Sequence, residues 1–283
     1  LLADAPHVCD LLQQRLPDSL VFCISDSTQS CCPAIITAEH LKADVIVHYG
    51  HACHTFQVNV PVLYSYGAII DFSGTLEIVD ALQAHSIRRL LLSYSLEYQA
   101  CIEILQTTLR EQTQALVVAG QIPDIEASGK ERESQQSILV GGLEFPSFVE
   151  DEWKDDDYAL LYFGDDTSRQ HINLLLRFQS LTHPPKHTWS YNNDNNGLST
   201  CPSTNCSKLL NRRFFLVQKA KTCQVFGILV VPPSTATTRA MVASVRELLR
   251  DRDVYTFSVG KVNPNKLANF GNIECFVLVA CPE

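Results

Sequence analysis

At 283 residues the chain has room for two domains, or for three small ones. Apolar residues make up 46% and charged residues 19%, which supplies a sizeable core and excludes wholesale disorder. Twenty-two Lys and Arg stand against 31 Asp and Glu, a formal net charge of −9. With no basic stripe this argues against nucleic-acid binding, and the longest apolar runs are far too short to span a bilayer. No signal peptide is read, so the expectation is a cytoplasmic protein. The chain opens without Met on a helical pattern and ends just after a strand-like run, which reads as a trimmed segment of a longer protein.

Helical periodicity covers 3–15, with Val8, Leu11 and Leu12 on one face. A short apolar strand is expected at 20–25, then a helix at 33–42 with Pro33 in its first turn. The strand at 44–49 is mostly apolar, as a strand covered on both faces should be. A strand at 60–64 and a helix at 76–85 follow. The middle of the chain predicts a strand at 89–93, a helix at 96–111 and a strand at 114–118. A polar surface loop is expected at 124–136, a short strand at 137–141 and an acidic solvated face at 150–157. A strand at 159–164, a helix at 168–179 and a strand at 187–191 complete this part. The Asn-, Ser-, Thr-, Pro- and Gly-rich stretch 192–204 is the expected linker. After it come a helix at 206–220, a strand at 224–231, a helix at 237–250, a strand at 254–259, a short helix at 264–270 and a last strand at 273–280. Three blocks with βαβ signals predict an α/β fold of three similar small parallel-sheet domains, at 1–85, 86–195 and 196–283.

Eleven cysteines, an odd number in a chain with no secretory signal, argue against a complete disulfide framework. Cys9, Cys23 and Cys101 sit at apolar positions and read as core filler. Cys201 and Cys206 read as loop residues whose Cys-x4-Cys spacing is a weak metal signal. Cys223 precedes a strand and has no obvious thiol neighbour. In parallel α/β sheets ligands gather at the carboxyl ends of the strands, and that rule sorts the rest. Cys31-Cys32-Pro33 follows the strand at 20–25, Cys53 follows the strand at 44–49 through Gly50-His51-Ala52, and Cys281-Pro282 follows the last strand. Cys275 lies at the wrong end of its strand. Cys32 also falls beside a helix N-terminus, where a thiolate is favoured. Cys32, Cys53 and Cys281 are therefore the candidate metal ligands, with Cys31 as the alternative to Cys32.

Three thiolates can hold a 4Fe–4S cluster with one iron left open. Zinc would ask for a fourth Cys or His, and His48, His51 and His54 are near in sequence. Buried thiols and small residues at strand ends are the plainer reading of the same pattern. The run from His48 to His54 also suits a proton-transfer cluster, or a structural role for His48 at the strand end. Ser27-Thr28-Gln29-Ser30 has neither the glycines nor the lysine of a phosphate loop. Gly164-Asp165-Asp166 reads as a turn and helix cap. There is no Gly-x-Ser-x-Gly, and no catalytic residue is assigned.

Several segments together resemble the diphthamide-synthesis family over nearly the whole chain. They are Ser30-Cys31-Cys32-Pro33, Ala43-Asp44-Val45-Ile46-Val47-His48-Tyr49-Gly50-His51-Ala52-Cys53 and Val60-Pro61-Val62-Leu63-Tyr64, followed by Lys219-Ala220-Lys221, Lys266-Leu267-Ala268-Asn269-Phe270 and Val277-Leu278-Val279-Ala280-Cys281-Pro282. The resemblance implies three homologous α/β domains around a central 4Fe–4S cluster. It implies a radical reaction that moves a 3-amino-3-carboxypropyl group from S-adenosylmethionine to a histidine of translation elongation factor 2, the first step of diphthamide formation. The implied partners are a paralogous catalytic subunit in a heterodimer, elongation factor 2 as protein substrate and an electron-donating reductase system. Family members that do the chemistry take one cysteine from each domain, the middle one in a Leu-Gly-Cys-Thr-x-Pro segment. Here the corresponding stretch is Val118-Ala119-Gly120-Gln121-Ile122-Pro123, with no thiol. The departure assigns S-adenosylmethionine cleavage to the partner and a supporting transfer of electrons to this chain, with Cys53 supplying the missing ligand. A cluster-free scaffold is the other reading.

Overall fold

The computed structural model describes residues 3–24, 31–54, 60–69, 74–123, 138–146, 153, 158–192, 197–201, 204–231, 236–260 and 262–280, with the backbone alone described at 204–206 and 236–237. The chain divides into two compact units, Leu1–Ser203 and Thr204–Pro282.

The first unit opens with α1 (Ala5–Arg15), which has a proline in its first turn. No strand forms over 20–24, the described part of the one expected at 20–25. Leu20 is 82% exposed there. The Gln13 side chain on α1 takes the backbone groups that a ladder would use. Its Oε1 accepts from the Val21 N–H at 3.0 Å and its Nε2 donates to the Ser19 carbonyl at 2.6 Å. After α2 (Ile35–His40), β1 (Ile46–Tyr49) and β2 (Val62–Ser65) pair in parallel, with His48 opposite Tyr64. One face of this pair is open to solvent, carrying Val47, Tyr49 and Leu63.

α3 (Thr75–Ala84), β3 (Arg89–Tyr94), a 3-10 turn at Leu96–Tyr98, α4 (Gln99–Thr113) and β4 (Leu116–Ala119) come next. β5 (Ile138–Val140) and β6 (Leu143–Phe145) form an antiparallel hairpin. Its two turn residues, Gly141 and Gly142, both have left-handed φ (65° and 76°), as a tight two-residue hairpin turn requires. β7 (Tyr158–Phe163), α5 (Arg169–Gln179), β8 (His187–Asn192) and β9 (Gly197–Thr200) complete the unit. The five-stranded sheet runs β4-β3-β7-β8-β9. Its first four strands are parallel and β9 returns antiparallel on β8. Numbered within the sheet this is the doubly wound order 2-1-3-4-5. Every residue of β7 is buried, which explains its unbroken apolar run.

One sequence expectation changes here. The polar stretch 192–204 contains β9 rather than only a linker, because Leu198 packs on the core and its N–H donates to Glu77 Oε2 of α3 at 3.1 Å. Trp153, the described residue of the acidic stretch 150–157, is 1% exposed, with the Arg89 guanidinium over its ring at 5.7 Å. The acidic residues on either side of it lie outside the described residues. The loop expected at 124–136 lies outside the described residues.

The second unit contains α6 (Thr204–Ala220), β10 (Val225–Val230), α7 (Ala236–Leu248), β11 (Asp253–Ser258), α8 (Pro264–Leu267) and β12 (Cys275–Val279). Its sheet runs β11-β10-β12, all parallel, the same 2-1-3 order with which the five-stranded sheet begins. Small parallel sheets alternating with helices make the chain α/β, as its sequence pattern implies.

Candidate metal centre

Three cysteines of the first unit converge. Cys31 and Cys32 lie on the segment before α2, and Cys53 lies on the loop after β1. The Sγ atoms are 3.8 Å apart for Cys31 and Cys32 and 3.6 Å apart for Cys32 and Cys53, and all three lie within 4.8 Å of one another. Exposures of 6%, 9% and 3% put them away from solvent. The Cys53 N–H donates to the Cys31 carbonyl at 3.2 Å, so the two segments are tied by backbone as well.

Local sequence accounts for the Cys53 loop. Gly50 prolongs the β1–β2 ladder through its N–H to the Ser65 carbonyl at 2.8 Å, then turns the chain at φ 95°, a conformation that favours glycine. His48 Nε2–H donates to the His51 carbonyl at 3.0 Å and braces the turn. His48 therefore has a structural role in the arrangement. Ala52 is wholly buried. A side chain on Gly142, in the β5–β6 turn, would run into the Ala52 carbonyl oxygen and would also reach Leu96. The loop is thus seated next to the residue that follows β3, at the carboxyl edge of the five-stranded sheet, where doubly wound sheets collect their ligands.

The surroundings are aromatic. Tyr64 and Tyr66 stack with centroids 5.9 Å apart, and the Tyr64 ring meets His48 at 5.6 Å and His54 at 5.1 Å. Burial pushes the Tyr64 hydroxyl up to about 12, helped by the neighbouring Cys53 and Cys32 thiols. Tyr66 is raised by burial and then by Tyr64 and Tyr94. Three thiols this close and this dry cannot all ionise without a cation among them. Such a soft donor set suits iron–sulfur clusters and zinc. Ligands sharing one tetrahedral zinc at about 2.3 Å stand roughly 3.8 Å apart, close to the spacing seen here. A cubane gives each thiolate its own iron, so it would draw the sulfurs further apart.

Cys32 and Cys53, both expected as ligands, are brought together. Cys31 joins them instead of replacing Cys32, since a chain in loop conformation can aim two adjacent side chains to one point where a strand would not. Cys281 lies outside the described residues, as does 27–30. Gln121 exchanges two backbone hydrogen bonds with Glu144 at 2.9 and 2.7 Å. Cys101 is buried and donates to the Tyr98 carbonyl at 3.1 Å, in keeping with a packing role. Cys23 is exposed, not core, because the strand expected around it does not form. Cys201 directly follows β9 and is buried, its thiol donating to Ser190 Oγ at 3.2 Å; the side chain of Cys206 is outside the described residues. Cys223 does have a thiol neighbour. That neighbour is Cys275, whose pKa is raised first by burial and then by the nearby Cys223 thiol, while the Cys223 thiol itself donates to the Lys219 carbonyl at 3.6 Å. Gly142 and Tyr66 carried no functional signal in sequence, and Gly141, expected at the end of the strand at 137–141, lies in the turn that follows it.

Three buried thiols at the carboxyl edge of a parallel sheet form a candidate thiolate metal site on an α/β scaffold. A family model described as "Putative diphthamide synthesis protein" matches residues 1–283. The chain belongs to the diphthamide synthesis family. Subunit 2 of 2-(3-amino-3-carboxypropyl)histidine synthase from Cryptococcus neoformans var. neoformans serotype D is 29% identical over 297 residues, covering 100% of this chain and 56% of the relative. The same subunit from Xenopus laevis is 29% identical, covering 100% and 57%. The chain thus spans just over half the length of these curated relatives. Dph2 from Pyrococcus horikoshii has the same fold, with a TM-score of 0.70 at 17% identity over 99% of this chain and 76% of that one. A second structure of that protein, with a 4Fe-4S cluster, scores 0.69.

Proposed function

We propose that this chain is an iron–sulfur subunit of the heterodimeric synthase for the first step of diphthamide biosynthesis. In that step a 3-amino-3-carboxypropyl group passes from S-adenosylmethionine to a histidine of elongation factor 2. The observation that carries the reading is the buried convergence of Cys31, Cys32 and Cys53 in a chain of this family. These thiols would hold a 4Fe–4S cluster, which when bound supplies one-electron chemistry. The chain's own residues would bind it and exclude water from it, with Tyr64 beside the Cys32 and Cys53 thiols and the wholly buried Ala52 next to Cys53. With Gln121 in place of a middle thiol, S-adenosylmethionine is read as the partner's substrate and this chain as the support for electron transfer to the partner's cluster. An electron-donating reductase system and a cytoplasmic setting belong to the same reading. So does a division into three α/β domains at 1–85, 86–195 and 196–283. Cys281 is proposed as a further ligand from its place after β12.

Anaerobic purification with iron, acid-labile sulfide and zinc analysis tests this. Iron and sulfide in equal amounts with an electron paramagnetic resonance signal on reduction is the expected result. Zinc alone, or no metal, would leave the cluster-free scaffold. Among single Cys→Ser variants, those at 32 and 53 should lose the signal, and those at 31 and 281 decide the remaining ligands. Cys101→Ser should leave it intact.

A further inference from the structure

The residue after Cys53 is in an unusual state. His54 has φ 51°, the left-handed region that side chains other than glycine seldom adopt. Its ring bridges two distant elements. Nδ1 is 2.9 Å from the Gly142 carbonyl and Nε2 is 2.8 Å from the Tyr66 hydroxyl. A carbonyl only accepts, so Nδ1 carries the proton; Nε2 of the neutral ring then accepts from the Tyr66 O–H. The same Gly142 leaves no room for a side chain beside Ala52, on the other flank of Cys53. One neighbour of the cysteine is therefore hydrogen-bonded to a glycine of the β5–β6 turn and the other packs closely against that same glycine. The Tyr66 hydroxyl adds a second anchor on the segment after β2.

We propose that His54 is a positioning residue for the metal centre: its two hydrogen bonds hold a left-handed backbone that turns the Cys53 thiol toward Cys31 and Cys32. This rests on the triad being a metal site. The physical logic is that of outer-sphere partners, which aim a ligand they do not replace and which commonly change metal affinity by about 10–100-fold when removed. Strained backbone of this kind persists only where its surroundings over-determine it.

Cobalt(II) titration of the metal-free chain under argon, read by thiolate-to-cobalt charge-transfer absorption, tests the placing of the thiols whether or not an iron–sulfur cluster forms. Wild type should bind with the intense band of several thiolate ligands. His54→Ala, which loses both bonds and keeps the unfavourable φ, should bind at least about tenfold more weakly. His54→Gly is free of the backbone penalty but also lacks the bonds, and should remain well below wild type. Tyr66→Phe, which removes one anchor and little volume, should fall between them and wild type. Far-UV circular dichroism and the melting temperature of each variant should match wild type. Wild-type affinity in His54→Ala and His54→Gly would overturn the inference, as would a wild-type chain with no charge-transfer band. If wild type takes up cobalt in this way but never iron and sulfide, the iron–sulfur reading fails while the positioning role stands.

Discussion

The five-stranded sheet and the β1–β2 pair of the first unit are built on opposite terms. β3 has Leu90, Leu91 and Leu92 at 0% exposure, and β7 is buried from end to end. Among the described residues β1 and β2 pair only with each other, and the face carrying Val47, Tyr49 and Leu63 meets solvent. A two-stranded sheet on its own is marginal in water. Yet the metal centre hangs from the weaker element, on the loop after β1, and reaches the stronger one through Ala52, Gly142 and Leu96. The difference teaches that the large sheet supplies rigidity while the small one supplies ligands, and that functional elements are drawn from the less stable parts of a fold.

The comparison breaks or sharpens in a graded series. The largest effect is expected in the large sheet: Leu91→Ala should cost about 2–5 kcal/mol in urea unfolding, through lost burial and the cavity it leaves. Leu63→Ala, at an exposed position of β2, should stay within about 0.5 kcal/mol. Equal costs would mean that the two sheets share their stability evenly.

Next in size is Gly142→Ala. An added methyl group must displace the Ala52 carbonyl or strain φ at +76°, so metal content should fall sharply by elemental analysis. The unfolding midpoint should move far less than for Leu91→Ala.

Metal loading should then act selectively. Amide exchange at Ile46–Tyr49 and Val62–Ser65 should slow when the site is filled, while Leu90–Leu92 stay unchanged, since a ligand stabilises the structure that binds it. Uniform protection would place the centre in the global core.

A smaller effect concerns His171 on α5, which is fully buried and stacks on Tyr162 at 4.5 Å, its Nδ1–H donating to the Asp166 carbonyl at 2.8 Å. Burial lowers its pKa below the ordinary 6.5, against an opposing push from Asp166 and Asp165. The folded chain keeps it neutral while the unfolded chain takes up a proton, so stability is full above about 6.5 and is lost as pH falls below it. His171→Gln should flatten that slope in urea unfolding between pH 7 and 5.

The helices and most strands were legible because their signals are local. β7 and β10 follow from apolar runs, and α5 from Ile172 and Leu175 at helical spacing; its cap, expected at Gly164-Asp165-Asp166, is Ser168, whose Oγ accepts from the His171 N–H at 3.2 Å. Where the reading failed, a distant partner had overruled the local pattern. Residues 20–24 have strand composition, but the Val21 N–H among them goes to the Gln13 side chain, and residues 197–200 have linker composition but find β8 and Glu77.

The same division runs through the metal centre. Sequence by itself determined that Cys53 follows a strand at the ligand-binding end of an α/β unit, that Cys32 lies just before a helix, and which family the chain resembles, because these depend on short spacings and on residue type; the strand expected before Cys32 does not form over 20–24. Only the tertiary structure decided that Cys31 points to the same place as Cys32, and that Cys53 is flanked by contacts to Gly142, 88 residues beyond His54. Those facts depend on loop conformation and on packing between elements far apart in the chain, and no periodicity in the sequence records either.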